Sequence, residues 1–193
     1  DVVRRYVEED PSVKGIWCVP MYANPTGITY SDEVVRAFAH LKPAAPDFRI
    51  FWDNAYCVHT FEGEGDRLLN IFDALREAGA KNLVYEFGST AKVTFPSSGI
   101  AFMTADPDDM TQIREAFSTM RVSPEKIGQL AHVKFLKDLE GVRAHMKKHA
   151  AIVGPRFELV QQKLADGLAG TGVATWTNPK GGYFVSFDGP EGS

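Results

Sequence analysis

Leu83-Val84-Tyr85-Glu86-Phe87-Gly88-Ser89-Thr90-Ala91-Lys92 is the stretch on which the fold class turns. Its first five residues form an apolar run of strand length, too short for a helix of its own. Gly88 and Ser89 then break the run, and an amine follows three residues beyond the serine. Runs of the same kind stand upstream at Gly15-Ile16-Trp17-Cys18-Val19-Pro20 and Phe48-Arg49-Ile50-Phe51-Trp52, and downstream at Ile100-Ala101-Phe102-Met103. Helical patterns lie between them. Ser31-Asp32-Glu33 caps a helix through about Leu41, with Val34, Val35, Phe38 and Leu41 on one face. Arg67 to Ala78 sets Leu68, Leu69, Phe72 and Leu75 at helical spacing, with Gly79 as the stop. Strands alternating with helices predict an α/β fold with a mixed, mostly parallel sheet flanked by helices.

Working outward, the N-terminal residues continue the helical theme, with Val2, Val3, Tyr6 and Val7 apolar. The character changes after Asp106. Asp106-Pro107 and Ser123-Pro124 each place a capping residue before a proline at the first helical position. From 124 to about 168 the pattern is helical, with an interruption predicted at Gly154-Pro155, and Gly170-Thr171-Gly172 ends it. Val173 to Thr177 and Tyr183 to Phe187 then read as two strands joined through Asn178-Pro179-Lys180-Gly181-Gly182. The expected organisation is residues 1–125 as the sheet-centred part, 126–170 as connecting helices, and 171–193 as the beginning of a small α+β domain. Neither end resembles a natural domain boundary, so a piece of a longer protein is expected.

Composition narrows the class. Of 193 residues 44% are hydrophobic and 24% charged, with 13 Phe, 6 Tyr and 3 Trp, as in a soluble globular protein with a substantial core. A net charge of −4 without a Lys/Arg run argues against a nucleic-acid surface. No apolar stretch is long enough to span a bilayer and no leader pattern opens the chain, so a cytoplasmic protein without membrane contact is expected. Cys18 and Cys57 both fall in strand-like runs without metal-ligand spacing, and two buried thiols and no metal are predicted.

The strand ends carry the chemistry. Asn24-Pro25-Thr26-Gly27, Asp53-Asn54-Ala55-Tyr56 and Ser89-Thr90-Ala91-Lys92 each follow an apolar run. In open α/β sheets ligands bind at the carboxyl ends of strands. An amide, a carboxylate, a phenol, a hydroxyl and an amine suit a pyridine aldehyde, pyridoxal phosphate. Lys92 can bond covalently to the aldehyde, and Asp53 can keep the ring nitrogen protonated so that the ring accepts electrons. Asn24 and Tyr56 can donate to the phenolate oxygen, and Ser89 to the phosphate. Taken singly, each has a plainer reading: Lys92 a solvated surface lysine, Asn24 to Gly27 a turn, Asp53 a cap, Tyr56 a core aromatic, Ser89 a loop serine.

Together these motifs resemble the fold-type I pyridoxal-phosphate enzymes of the aspartate aminotransferase superfamily, whose Asn-Pro-Thr-Gly, Asp-x-x-Tyr and Ser-x-x-Lys are here Asn24 to Gly27, Asp53 to Tyr56 and Ser89 to Lys92. The separations, 29 residues from Asn24 to Asp53 and 39 from Asp53 to Lys92, are similar to the family's. So is the Pro-x-Gly-Gly-aromatic turn at Pro179 to Tyr183. The run from Trp52 to His59 and the Gly88 to Lys92 loop look most like a bacterial aspartate aminotransferase-like subgroup. The resemblance implies the pyridoxal-phosphate transferase fold, with 1–125 as the second half of the large cofactor-binding domain. It implies Lys92 as the covalent attachment point and proton shuttle, Asp53 on the ring nitrogen, Asn24 and Tyr56 on the phenolate oxygen, Ser89 on the phosphate, and a cis Asn24–Pro25 bond. The implied activity is transamination between an amino acid, aspartate or glutamate among the candidates, and a 2-oxo acid, in a homodimeric parent enzyme.

One departure stands out. The family's phosphate-gripping arginine, eight residues after the lysine, is here Ile100, which leaves Ser97 and Ser98 as candidate helpers. Arg121 lies where the family sometimes makes a substrate-side contact across the dimer; a surface arginine is the plainer reading. Other groups of the site are expected outside this stretch, which by itself is expected to be inactive. Two alternatives keep the same cofactor residues: a lyase on this fold, and the effector-binding body of a transcriptional regulator.

Overall fold

The computed structural model describes residues 1–61, 63–190 and 192. By its internal contacts the chain divides into two compact units. Unit 1 holds residues 1–20, 30–55 and 68–130, and unit 2 holds 21–29, 56–67 and 131–193.

Unit 1 is built on a four-stranded sheet. In chain order its elements are α1 (Val2–Glu9), β1 (Gly15–Cys18), α2 (Asp32–Ala39), β2 (Arg49–Asp53), α3 (Ile71–Ala78), β3 (Val84–Ser89), β4 (Ala101–Thr104) and α4 (Pro107–Met120), with a short 3-10 turn at Pro96–Ser98. The strand order is β1-β2-β3-β4. β1, β2 and β3 run parallel, with Trp17 opposite Phe51 and Phe51 opposite Tyr85, and β4 returns antiparallel to β3. The mixed, mostly parallel sheet is the one the strand–helix alternation predicted.

Alternation along the strands separates two faces. Cys18, Ile50, Trp52 and Val84 pack one face into a core with Val35 and Ala39 of α2 and Ile71, Ala74 and Leu75 of α3. Trp52 and Ile50 are fully buried, each contributing roughly 1.5–3 kcal/mol relative to an exposed side chain. On the other face Trp17, Phe51 and Phe87 stack, with ring centroids 5.4 to 6.1 Å apart. Asp53 follows Trp52 and therefore lies on this aromatic face. An ion pair ties β2 to α4: the Arg49 guanidinium donates to Asp109 at 3.0 Å and to the Tyr85 hydroxyl at 3.2 Å.

The caps explain the helix limits. Ser31 accepts from the Val34 amide, as its sequence position implied. α3 begins at Ile71 rather than near Arg67, because Asn70 caps it by accepting from the Phe72 amide at 2.8 Å. Leu68 and Leu69 pack against the core from the segment before it. The α5 helix (Lys126–Leu136) begins near the predicted Ser123-Pro124 start.

In unit 2, α6 (Leu139–Leu168) is one 30-residue helix with Pro155 inside it. The predicted interruption at Gly154-Pro155 does not occur. The break falls instead at Lys137, whose φ is +66°, and at Asp138, whose carboxylate accepts from the Gly141 amide at 2.8 Å. Beside the proline, Phe61 Cβ would lie 3.6 Å from a methyl at Gly154, an ordinary packing contact, and Phe61 contacts Phe157 with centroids 4.6 Å apart. The terminal hairpin is shorter than predicted: β5 (Thr175–Trp176) pairs antiparallel with β6 (Phe187–Asp188), and just past β5 the Thr177 amide donates to the Ser186 carbonyl at 3.0 Å. Gln161 of α6 fastens the hairpin, accepting from Trp176 Nε1 at 3.0 Å and donating to the Thr177 carbonyl at 2.9 Å. No described helix is long and apolar enough to cross a membrane.

Candidate active site

Three of the five predicted residues belong to unit 1. Asp53 is the last residue of β2 and pairs with Phe87 of β3. The ladder continues one step further, with the Asn54 amide donating to the Phe87 carbonyl at 2.9 Å and the Asn54 side-chain amide donating to Glu86 at 3.2 Å. Burial pushes the Glu86 pKa above the usual carboxylate value, with the Asn54 hydrogen bond opposing it. Ser89 ends β3, and Lys92 stands exposed in the turn that follows. Asp53 and Lys92 thus occupy the carboxyl ends of adjacent parallel strands.

The Lys92 turn is held by hydrogen bonds and by close backbone approach. Ser89 Oγ accepts from the Ala91 amide at 3.0 Å, which leaves its own hydroxyl hydrogen available to a ligand. Thr90 forms a strut to Ile100: its amide donates to the Ile100 carbonyl at 2.9 Å, and its Oγ1 accepts from the Ile100 amide at 2.8 Å. Position 100, where an arginine is usual, therefore serves this chain through its backbone. Gly99 completes the turn, because a methyl group there would lie 2.6 Å from Ala91 Cα. Ser97 and Ser98 are exposed in the 3-10 turn, and Arg121 is exposed at the end of α4.

The other two residues belong to unit 2. Asn24 is exposed in the 21–29 loop, and its bond to Pro25 is cis, as the family resemblance implied. The loop is anchored to the Pro179–Tyr183 turn and its flanks. Gly27, at φ +72°, lies so close to Phe184 that a methyl would approach its carbonyl oxygen to 2.5 Å, and Thr177 Oγ1 donates to the Thr26 carbonyl at 2.9 Å. Tyr56 is buried against His59, Tyr183 and Phe184, with ring centroids 5.6 to 6.1 Å away and edges toward faces. Burial first, and then the Tyr56 phenol, raise the Tyr183 pKa. The amide donated by Gly182 to the His59 carbonyl, at 2.9 Å, locks the turn to the Tyr56 segment. Gly181 is required there, since a methyl would clash with the Tyr22 ring and the His59 carbonyl.

Sequence reasoning missed His59, Tyr183 and Phe184 as the neighbours of Tyr56. The Pro-x-Gly-Gly-aromatic pattern was their signal, because two adjacent glycines allow such an approach. Cys57 corrects the prediction of two buried thiols: it lies past the end of β2 in the 55–58 turn and is exposed, whereas Cys18 is buried. Burial pushes the Cys18 thiol up to about 11.

The family model for aspartate aminotransferase matches residues 1–193. The chain belongs to the aspartate aminotransferase family. It is 43% identical over 188 residues to a Mycolicibacterium smegmatis protein named only as an aminotransferase, covering 97% of this chain and 44% of that one. It is 41% identical to the aspartate aminotransferase of Corynebacterium glutamicum, covering 97% of this chain and 43% of the relative. The solved structure of an aspartate transaminase from C. glutamicum superposes with a TM-score of 0.94 at 41% identity, over 100% of this chain and 45% of that one. The chain thus spans less than half the length of these relatives. The fold is the one the motifs implied: an α/β mixed sheet flanked by helices, shared with solved family members.

Proposed function

We propose that the whole protein is a pyridoxal-phosphate-dependent aminotransferase that moves an amino group between an amino acid and a 2-oxo acid. The observation that carries this reading is the placement of a carboxylate, Asp53, and an amine, Lys92, at the carboxyl ends of the adjacent parallel strands β2 and β3. The donor set fits the cofactor chemically. Asp53 would accept from the protonated ring nitrogen, Asn24 and Tyr56 would donate to the phenolate oxygen, and Ser89 would donate the hydroxyl hydrogen that its own turn leaves available. With Ile100 at the arginine position, Ser89 and its neighbours carry more of the phosphate. When bound, pyridoxal phosphate supplies an electron sink for the pair left when the substrate's α-proton departs. Lys92 would provide the covalent attachment and, once the substrate's amine has displaced it, would take that proton on its freed Nζ and return it further along the reacting system. Asp53 keeps the sink effective by holding positive charge at the ring nitrogen.

Aspartate or glutamate is the preferred amino donor in this reading, supported by the name of the C. glutamicum relative. The names of the relatives weigh toward transamination over the lyase and regulator alternatives. Residues 1–125 belong to the large cofactor-binding domain, 126–170 are connecting helices, and 171–193 open the small domain. The whole protein acts as a cytoplasmic homodimer, with small-molecule substrates and neither nucleic acid nor membrane as partner.

Adding pyridoxal phosphate to the full-length protein should produce a visible absorption band, absent from Lys92→Ala. Asp53→Ala should keep its folding but lose most of its rate, because the interaction removed matters most in the transition state. No band with the native protein, or a band unchanged in Lys92→Ala, would overturn the reading.

A further inference from the structure

His145 and His149 stand four residues apart on α6, one turn along the same helical face. Their Nε2 atoms face each other at 3.2 Å. The ring centroids are only 4.8 Å apart. Rings aimed head-on across that nitrogen gap would hold their centroids farther apart, so at least one ring is inclined to the line that joins the nitrogens, and the two share a hydrogen bond. Phe135 braces the pair from α5, its ring edge-on to His145 at 5.1 Å.

We infer that His145 and His149 form a two-nitrogen chelate for a borderline divalent cation, Zn2+, Ni2+ or Cu2+. With metal–nitrogen bonds of about 2.1 Å, donors 3.2 Å apart subtend about 100° at the ion. That angle lies between square and tetrahedral coordination, so the spacing of the two nitrogens suits a cation that takes the place of the proton they share. Imidazole nitrogens select these ions over Mg2+ and Ca2+, which prefer oxygen. Burial first, then the neighbouring ring, lower the His149 pKa, which favours the neutral form a ligand must have. Among the described residues no third His, Cys, Asp or Glu joins the pair, so water completes the coordination and the ion exchanges readily. Lys147 and Lys148 on the same helix, both exposed, oppose the ion's charge and make affinity rise with salt.

The test is calorimetric titration of the full chain with NiCl2, with MgCl2 as the contrast. One equivalent of Ni2+ should bind and Mg2+ should not. His145→Ala and His149→Ala should each weaken Ni2+ binding by about tenfold or more, with circular dichroism reporting retained helix. A spacing variant, His149→Ala with Lys147→His, keeps the number of histidines but places them two residues apart, where they no longer face each other. It should bind as weakly as His149→Ala. His40→Ala, a substitution in unit 1, should bind like the native chain. Native Ni2+ binding that survives both alanine variants, binding retained by the spacing variant, or no binding by the native chain would each overturn the inference.

Discussion

Gly99→Ala and Gly167→Ala are chemically the same substitution, and the structure assigns them opposite signs. Gly99 has φ −65° and ψ 149°, a conformation alanine adopts freely, so any penalty there is steric. The added methyl would lie 2.6 Å from Ala91 Cα, 2.7 Å from Ala91 N and 2.9 Å from Ala91 Cβ. Carbon atoms rest at about 3.5–4.0 Å, so a gap of about 1 Å must open between two backbone segments. Neither is the yielding tip of a side chain. The Thr90–Ile100 hydrogen bonds sit beside that contact and must stretch or shift. Overpacking of this kind costs about 1–3 kcal/mol. Gly167 lies in α6 with nothing but its chain neighbours and its own helix backbone within 4 Å of the methyl position, so alanine there should gain about 0.5–1 kcal/mol from helix propensity. The two variants should differ by about 2–4 kcal/mol, or about 1–2 M in urea midpoint at a typical denaturant slope. Urea unfolding followed by circular dichroism on the full chain measures this. In the full-length enzyme Gly99→Ala should also lower kcat/KM by about ten- to a hundredfold, because the turn that moves carries Lys92; Gly167→Ala should leave it unchanged. Equal midpoint shifts for the two variants, or a Gly99→Ala enzyme with native stability and rate, would refute the reasoning.

Three further outcomes are expected. Asp109→Ala should destabilise by about 3 kcal/mol, since it takes away the Arg49 guanidinium's carboxylate partner, a side chain only 3% exposed, and leaves a guanidinium that is itself only 20% exposed without it; urea unfolding reads the loss. Glu86 has its pKa raised by burial, so the native state holds that proton more tightly than the unfolded chain does. Its contribution is full below the unfolded carboxylate value of about 4.3 and is lost as pH rises through the raised native value. Glu86→Gln, which can still accept from Asn54, should therefore gain on the native protein in urea midpoint as pH goes from about 4.5 to 7; parallel curves would remove Glu86 from the account. Finally, a thiol reagent should label Cys57 quickly and Cys18 only on unfolding, because Cys18 is 2% exposed.

The sheet was legible in the sequence because its signals are local. Apolar runs of strand length, Ser31 as a cap and the strand-end motifs each depend on a few neighbouring residues. The features that differed carry weaker local signals. Pro155 stays within a helix, and nothing in its immediate sequence announces that. The helix break came at Lys137 and Asp138, where no glycine or proline marks it. α3 started late because Asn70 outcompeted a continuous helical pattern. Cys57 was assigned to a strand by its apolar neighbours, although β2 ends at Asp53. Of the candidate site, the five polar residues were proposed from motifs, while the rings around Tyr56 and the Thr90–Ile100 hydrogen bonds were not legible, because both join residues distant in the sequence.

The division into units has a genetic consequence. The chain passes from one unit to the other at 20/21, 29/30, 55/56, 67/68 and 130/131, so unit 2 is assembled from three separate stretches of the chain. No single crossover in recombination could transplant it intact into a homologue. Asp53 and Tyr56, three codons apart, fall on opposite sides of one such passage. Chimeras joined within those codons would mix parental versions of both units at once, so viable family hybrids should be joined elsewhere or inherit the Asp53–Tyr56 segment whole.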